Sequence, residues 1–200
     1  MRLRRLARRV ARRLRQTGVT RFAVWHRRLD IPMEMPEPAV EVAFRFAEMR
    51  DLALLDGWVP HGALPELERR LDAGILCLLG LHGGRAVFRL WCGIRTMYPP
   101  LLNRVLDPGA DFAYIFDVAT VPELRGRHIS PRGYWEVCRH ARELGCTHVM
   151  AWIEVRNVSS QKSAARGGFV PGARITRVSL FGRHRYFVGQ LSRPQMRAGS

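Results

Sequence analysis

Long apolar runs, lysine and paired cysteines are scarce in this chain, and each scarcity excludes a class of protein. The longest apolar stretch, Ile75 to Leu81, is the length of one strand, whereas a bilayer-crossing helix needs about 20 apolar residues. The N-terminus has no continuous apolar segment of the secretory kind. Cys77, Cys92, Cys138 and Cys146 show no C-x-x-C spacing. They build neither a zinc framework nor a thioredoxin-like motif, and they read as buried thiols of a reducing compartment. No metal is expected. Lysine occurs once, as Lys162, so arginine richness here is a compositional habit and not by itself a sign of phosphate recognition.

What is present is globular. Hydrophobic residues make up 47% and charged residues 25% of 200 positions, enough for one domain with its own core. The net charge of +16 is concentrated. Residues 1–28 hold eleven arginines and no acid, and the first carboxylate is Asp30; the remaining 172 residues carry +5. Leu3, Leu6, Val10 and Leu14 recur at helical spacing among those arginines, the pattern of an amphipathic helix. Such a leader suits an anionic membrane surface or an acidic carrier protein. A helix lying on the domain through its leucines is the plainer alternative. Its acid-free composition also resembles a transit peptide. Without interleaved aromatics, specific nucleic-acid reading is not expected. The organisation predicted is a basic leader and Pro-containing linker over 1–38, a domain over 39–190 and a tail over 191–200. The expected location is cytoplasmic, with peripheral membrane contact as the variant.

The pattern predicts strands over 40–46, 76–81, 86–94, 112–121, 148–155, 170–179 and 185–190. Helices are predicted over 52–58, 64–73, 134–144 and 158–166. His82-Gly83-Gly84-Arg85 is a hairpin turn, since glycine supplies positive φ. The order β-αα-β-β-β-α-β-α-β-β is that of an α/β protein with a mixed sheet and helices on its faces.

The most informative segment joins a strand to a helix: Thr120-Val121-Pro122-Glu123-Leu124-Arg125-Gly126-Arg127-His128-Ile129-Ser130-Pro131. A Gly- and Arg-containing loop at a helix N-terminus offers unpaired amides and a favourable dipole to an anion. Ser130 is predicted to cap that helix, with Pro131 first inside it. Gly145 follows Ile129 by sixteen residues, Asn157 follows Gly145 by twelve, Ser160 is three further, and Gly168-Phe169 closes the run. This set of spacings resembles the GCN5-related N-acetyltransferase (GNAT) superfamily over about residues 39–190.

The resemblance implies the GNAT fold and acyl transfer from acetyl-CoA to the amine of a small molecule, such as an amino sugar, amino acid or polyamine. It implies direct attack in a ternary complex. The backbone of Val118, Thr120 and Val121 would pair with the pantetheine arm. Amides from Arg125, Gly126, Arg127, His128, Ile129 and Ser130 would cradle the pyrophosphate, with the Arg125 and Arg127 guanidiniums assisting. Asn157 and Ser160 would lie along the pantetheine.

Three positions depart from the family pattern, most mildly Ser130, which is followed by proline and stands where the last small loop residue is usual. His128 stands where a second loop glycine is usual. Ala164 stands where a thiolate-protonating tyrosine is usual, leaving water, Ser160, Ser163 or Tyr186 for that task. Asp117 and Glu154 are the candidate general bases for an incoming ammonium. Trp58, Trp91, Tyr98 and Tyr186 are candidates to line the acceptor pocket. Other readings of the same residues are a long-chain N-acyltransferase using an acyl-carrier protein, and a degenerate fold serving as a binding module. Oligomeric state is not readable from the sequence.

Overall fold

The computed structural model describes residues 18–55, 58–59, 62–96, 111–180 and 183–189. The leader helix expected over residues 3–14, the pocket candidate Tyr98 and the 191–200 tail lie outside them. The backbone divides into two compact units. The larger comprises His26–Ala151 and Lys162–Val170, and the smaller Met1–Trp25, Trp152–Gln161 and Pro171–Ser200.

The first strand, β1 (Gly18–Arg28), departs most from expectation. The sequence pattern predicts leader and linker over these residues. Ala23, Trp25 and Arg27 are buried at alternating positions, which is strand periodicity. The inward place of an arginine disguised it. Next come β2 (Ala43–Phe46), a 3₁₀ segment (Met49–Leu55) and α1 (Leu64–Asp72). The 3₁₀ segment replaces the α-helix expected over 52–58. β3 (Leu76–His82) and β4 (Arg85–Ile94) form a hairpin across Gly83 and Gly84, both at positive φ. β5 (Phe112–Thr120), a 3₁₀ turn (Pro122–Leu124) and α2 (Ile129–Glu143) follow. The chain continues with β6 (His148–Glu154), α3 (Val158–Arg166), β7 (Val170–Leu180) and β8 (Arg183–Gly189). The strands are ordered β2-β3-β4-β5-β6-β1-β7-β8 in one sheet. β5 and β6 are parallel, whereas β2–β3, β3–β4, β4–β5 and β7–β8 are antiparallel. This is the mixed α/β architecture the element order predicts.

In the larger unit, Phe88, Leu90, Trp91, Ile115, Val137 and Val149 are fully buried. α2 lies close over β4 because it has Gly133 at the crossing; a Cβ there would stand 2.4 Å from the Phe88 ring. Arg27 is a buried cation with a structural task. Its guanidinium donates to the carbonyls of Gly168 at 3.1 Å and Ile31 at 3.2 Å. It thereby satisfies a carbonyl just past the end of α3. A side chain at Gly168, whose φ is +75°, would strike the Arg27 Nη1 atom. All four cysteines are free and buried. Burial pushes the Cys77 and Cys138 thiols up to about 12.

In the smaller unit, Arg177 stacks over Phe22 and donates to the Thr20 hydroxyl at 3.0 Å. The Val155 amide donates to the Arg21 carbonyl at 2.9 Å. Among the described residues, no helix is long and apolar enough to cross a membrane.

Candidate active site

The site begins with an irregularity in β5. Arg89 stands opposite Ala119, and Trp91 opposite Phe116. Asp117 and Val118 therefore share Leu90 as their one counterpart, which is a β-bulge. Asp117 takes the extra residue's strain, with φ +49°. The short polar side chain of aspartate tolerates that left-handed conformation better than most.

Two arginines hold the bulge. The Asp117 carboxylate accepts from Arg89 Nη2 at 2.9 Å and from Arg70 Nη1 at 3.1 Å. The side chains of Arg70 and Arg89 are each 11% exposed, and that of Asp117 is 28% exposed. Arg70 also stacks on Trp91 and Phe116, and Arg89 on Trp58. Sequence reasoning missed these arginines as Asp117's partners. They lie 47 and 28 positions away, and no local signal links them.

Beyond the bulge β5 has a bare edge among the described residues. Its parallel ladder with β6 pairs Phe112–Ile115 with His148–Ala151 and goes no further. On the opposite side Val121 donates to the Val87 carbonyl at 3.0 Å. Antiparallel alternation then turns the polar groups of Thr120 away from β4. The Thr120 carbonyl meets Arg125 Nε at 3.3 Å. Val121 differs from the other two residues expected to pair with a ligand. Its amide is spent on Val87, and its carbonyl accepts from Leu124 at 3.1 Å.

The loop follows at once. Gly126 and His128 both adopt positive φ, +76° and +60°. His128 thus keeps the left-handed turn a glycine would take, at a position open to solvent; histidine is among the residues enriched there. The N–H groups of Gly126, Arg127 and His128 make no hydrogen bond among the described residues. A Cβ on Gly126 would meet nothing within 4 Å. The loop is anchored from behind, where the Ala39 amide donates to the Arg127 carbonyl at 2.9 Å. α2 starts at Ile129 with His128 as N-cap. This corrects the expectation that Ser130 caps the helix. Ser130 lies inside the first turn, and its hydroxyl pairs with that of Thr120 at 3.1 Å. It ties the strand end to the helix start instead.

The remaining candidates lie elsewhere in the chain. Asn157 precedes α3, and its side-chain oxygen accepts from the Ser160 amide at 3.1 Å, an N-cap bond. Ala151 and Ile153 are buried, while Glu154 is exposed. Among the described residues no cation pairs with the Glu154 carboxylate. Tyr186 on β8 is half-buried. Trp91 is fully buried, which corrects its assignment to an acceptor pocket. Ala164, at the usual tyrosine position, is also buried. Near it, the Tyr134 ring packs on Phe169 at 5.4 Å and against Gly167. Burial pushes the Tyr134 phenol up to about 12.

The bulged strand, the left-handed Arg-Gly loop and the helix that follows lie within a region that known proteins match. A family model for the acetyltransferase (GNAT) family matches residues 72–169. The matched region, residues 72–169, carries a GNAT acetyltransferase domain. A search of curated proteins returns no match. Among solved structures, a GNAT-family acetyltransferase from Colwellia psychrerythraea is 16% identical over 90% of this chain, with a TM-score of 0.58. This chain spans 59% of that protein's length. A GNAT-family protein from Novosphingobium aromaticivorans is 15% identical, with a TM-score of 0.58, covering 88% of this chain and 66% of its own. The aminoglycoside N-acetyltransferase AAC(6')-Iy, solved with coenzyme A, is 19% identical, with a TM-score of 0.52. That match covers 64% of this chain and 91% of the enzyme. At these identities the GNAT likeness of the solved structures is one of fold.

Proposed function

We propose that this GNAT protein is an N-acetyltransferase moving an acetyl group from acetyl-CoA to the amine of a small molecule. Amino sugars, amino acids and polyamines are the acceptor classes to test. The observation carrying this reading is the run of unsatisfied amides at Gly126, Arg127 and His128, directly after the bare edge of β5. Backbone donors at a helix N-terminus suit a pyrophosphate. An extended edge suits an amide-containing arm. The open space at Gly126 leaves room for close approach. The coenzyme A moiety therefore fits the residues present, and acetyl-CoA, when bound, would supply an activated thioester.

The protein's own work is to bind, orient and move protons. Val118 and Thr120 would offer backbone partners to the arm, with Arg125 leaving the Thr120 carbonyl to meet a phosphate. Arg127, exposed in the same loop, would add a second cation. Ile129 and Ser130 would contribute helix-terminal amides, while Asn157 and Ser160 are proposed along the arm. The acceptor amine would attack directly and lose its proton to a carboxylate. Both oxygens of Asp117 accept from guanidiniums, whereas Glu154 is exposed, so Glu154 is the preferred base. Tyr186 is the proposed donor to the departing thiolate.

Calorimetric titration of the full chain with acetyl-CoA at two salt concentrations tests the donor. Micromolar binding is expected, weakened in Arg125→Ala; no binding overturns the donor assignment. An amine panel tests the reaction. Tight coenzyme A binding with no acetyl transfer to any amine overturns the N-acetyltransferase reading. In an active enzyme, Glu154→Gln should lower kcat most at low pH, where the amine needs its proton removed.

A further inference from the structure

Residues 155–200 hold nine arginines or lysines and no aspartate or glutamate. Four of these arginines lie on the β7–β8 hairpin, whose register divides the side chains between two faces. Ile175 and Ser179 on one face are buried. The other face presents Arg174, Thr176, Val178 and Leu180 from β7, beside Arg183, Arg185 and Phe187 from β8. None of these seven is buried. Leu180 and Phe187 are each 57% exposed, and Arg174, Arg183 and Arg185 are exposed with them. Cross-strand pairing sets Leu180 beside Arg183 and Val178 beside Arg185. The face therefore interleaves cations with aliphatic and aromatic carbon. Among the described residues, none of its arginines enters an ion pair. β8 ends the strand order of the sheet.

Exposed apolar side chains cost free energy in water, and unpaired cations of one sign repel one another. Both features become favourable against one kind of partner. We infer that this outer face of the β7–β8 hairpin docks on an anionic lipid surface. Guanidiniums would meet headgroup phosphates, while Leu180 and Phe187 reach the boundary with the acyl chains. Nucleic acid satisfies only half of the pattern. Leu180 and Val178 have no π-face for a base to stack on. The eleven arginines of residues 1–28 add a second stretch of the same sign, and membrane attachment through a protein surface gains from two such signals.

Co-sedimentation of the full chain with phosphatidylcholine vesicles, with and without phosphatidylserine, tests the inference. Binding is expected to need phosphatidylserine and to weaken with salt. Each arginine near an anionic leaflet strengthens partitioning about fivefold, so R174Q/R183Q/R185Q should weaken it roughly a hundredfold. Should that variant misfold, Phe187→Trp gives a direct reading. Its emission should shift to the blue when phosphatidylserine vesicles are added, by more than that of the parent chain. Unchanged binding by the folded triple variant would assign attachment to the leader and overturn the inference. An F187W emission shift no larger than the parent's, equal binding to neutral vesicles, or binding to duplex DNA or an acidic protein without binding to vesicles would also overturn it.

Discussion

The two compact units treat charge in opposite ways. The smaller contains 16 of the 33 basic residues and one of the 17 acidic ones, so it carries +15 of the net +16. The larger carries only +1. Every described ion pair lies in the larger unit, from Arg28–Asp30 to His140–Glu143. There arginine is a building material. It clamps the Asp117 bulge, caps the end of α3 through Arg27 and pairs with Asp51 through Arg45. Among the described residues of the smaller unit the hairpin arginines have no carboxylate partner, so their charge is available to something outside the chain. Arginine thus serves the fold through Arg27, Arg70 and Arg89, whereas Arg174, Arg183 and Arg185 are proposed for recognition.

The sharpest test sets Asp117→Ala against Arg185→Gln. Removing Asp117 takes the carboxylate from nearly buried Arg89 and leaves Arg70 its longer pair with Glu66 at 3.5 Å, and alanine at φ +49° adds strain. Denaturant unfolding should show a loss of about 3 kcal/mol. Arg185→Gln should change stability by less than about 0.5 kcal/mol. Equal losses would erase the contrast between the units.

Arg27→Ala comes next. It strips hydrogen bonds from the Gly168 and Ile31 carbonyls, and thermal or denaturant melts should report a loss of about 2 kcal/mol. The functional loop supplies a third measurement. Arg125→Ala should weaken coenzyme A binding about tenfold with little effect on folding, because the side chain is exposed and its cation is proposed to meet phosphate. A large stability loss would move Arg125 into the structural class.

Acid sensitivity belongs to the larger unit as well. The Asp51 carboxyl is held at about 2 by the Arg45 guanidinium and the Glu48 amide. Its folded-state value lies below its unfolded one. The contribution is therefore present above about pH 4 and lost as pH falls toward 2. Half-exposed Arg45 screens it to the order of 1 kcal/mol. Asp51→Asn should flatten that part of the acid unfolding curve. The smallest change is expected from His128→Gly. It removes the cost of a left-handed side chain while loosening the unfolded chain, and the two should nearly cancel within about 1 kcal/mol.

The legible parts of the fold were those with local signatures. The Gly83-Gly84 hairpin, the amphipathic α1 and α3 helices and the β4–β5 strands follow from turn chemistry and periodicity. β1 was hidden because Arg27 occupies an inward position, and burial of a cation is decided by distant carbonyls. Ser130 looked like a cap by residue type, yet His128 takes the N-cap position at the left-handed turn. Trp91 suited a pocket wall or the core by residue type, and packing put it in the core.

By itself the sequence determined the order of elements, the Arg-Gly loop before α2 and the concentration of positive charge, because spacing and composition are properties of neighbours along the chain. Tertiary structure decided which arginines are spent and which are available. It brought Arg70 and Arg89 onto Asp117 and left Arg174, Arg183 and Arg185 facing solvent. A charge's worth depends on the charges and dielectric within a few ångströms of it, and that neighbourhood exists only after the chain has folded.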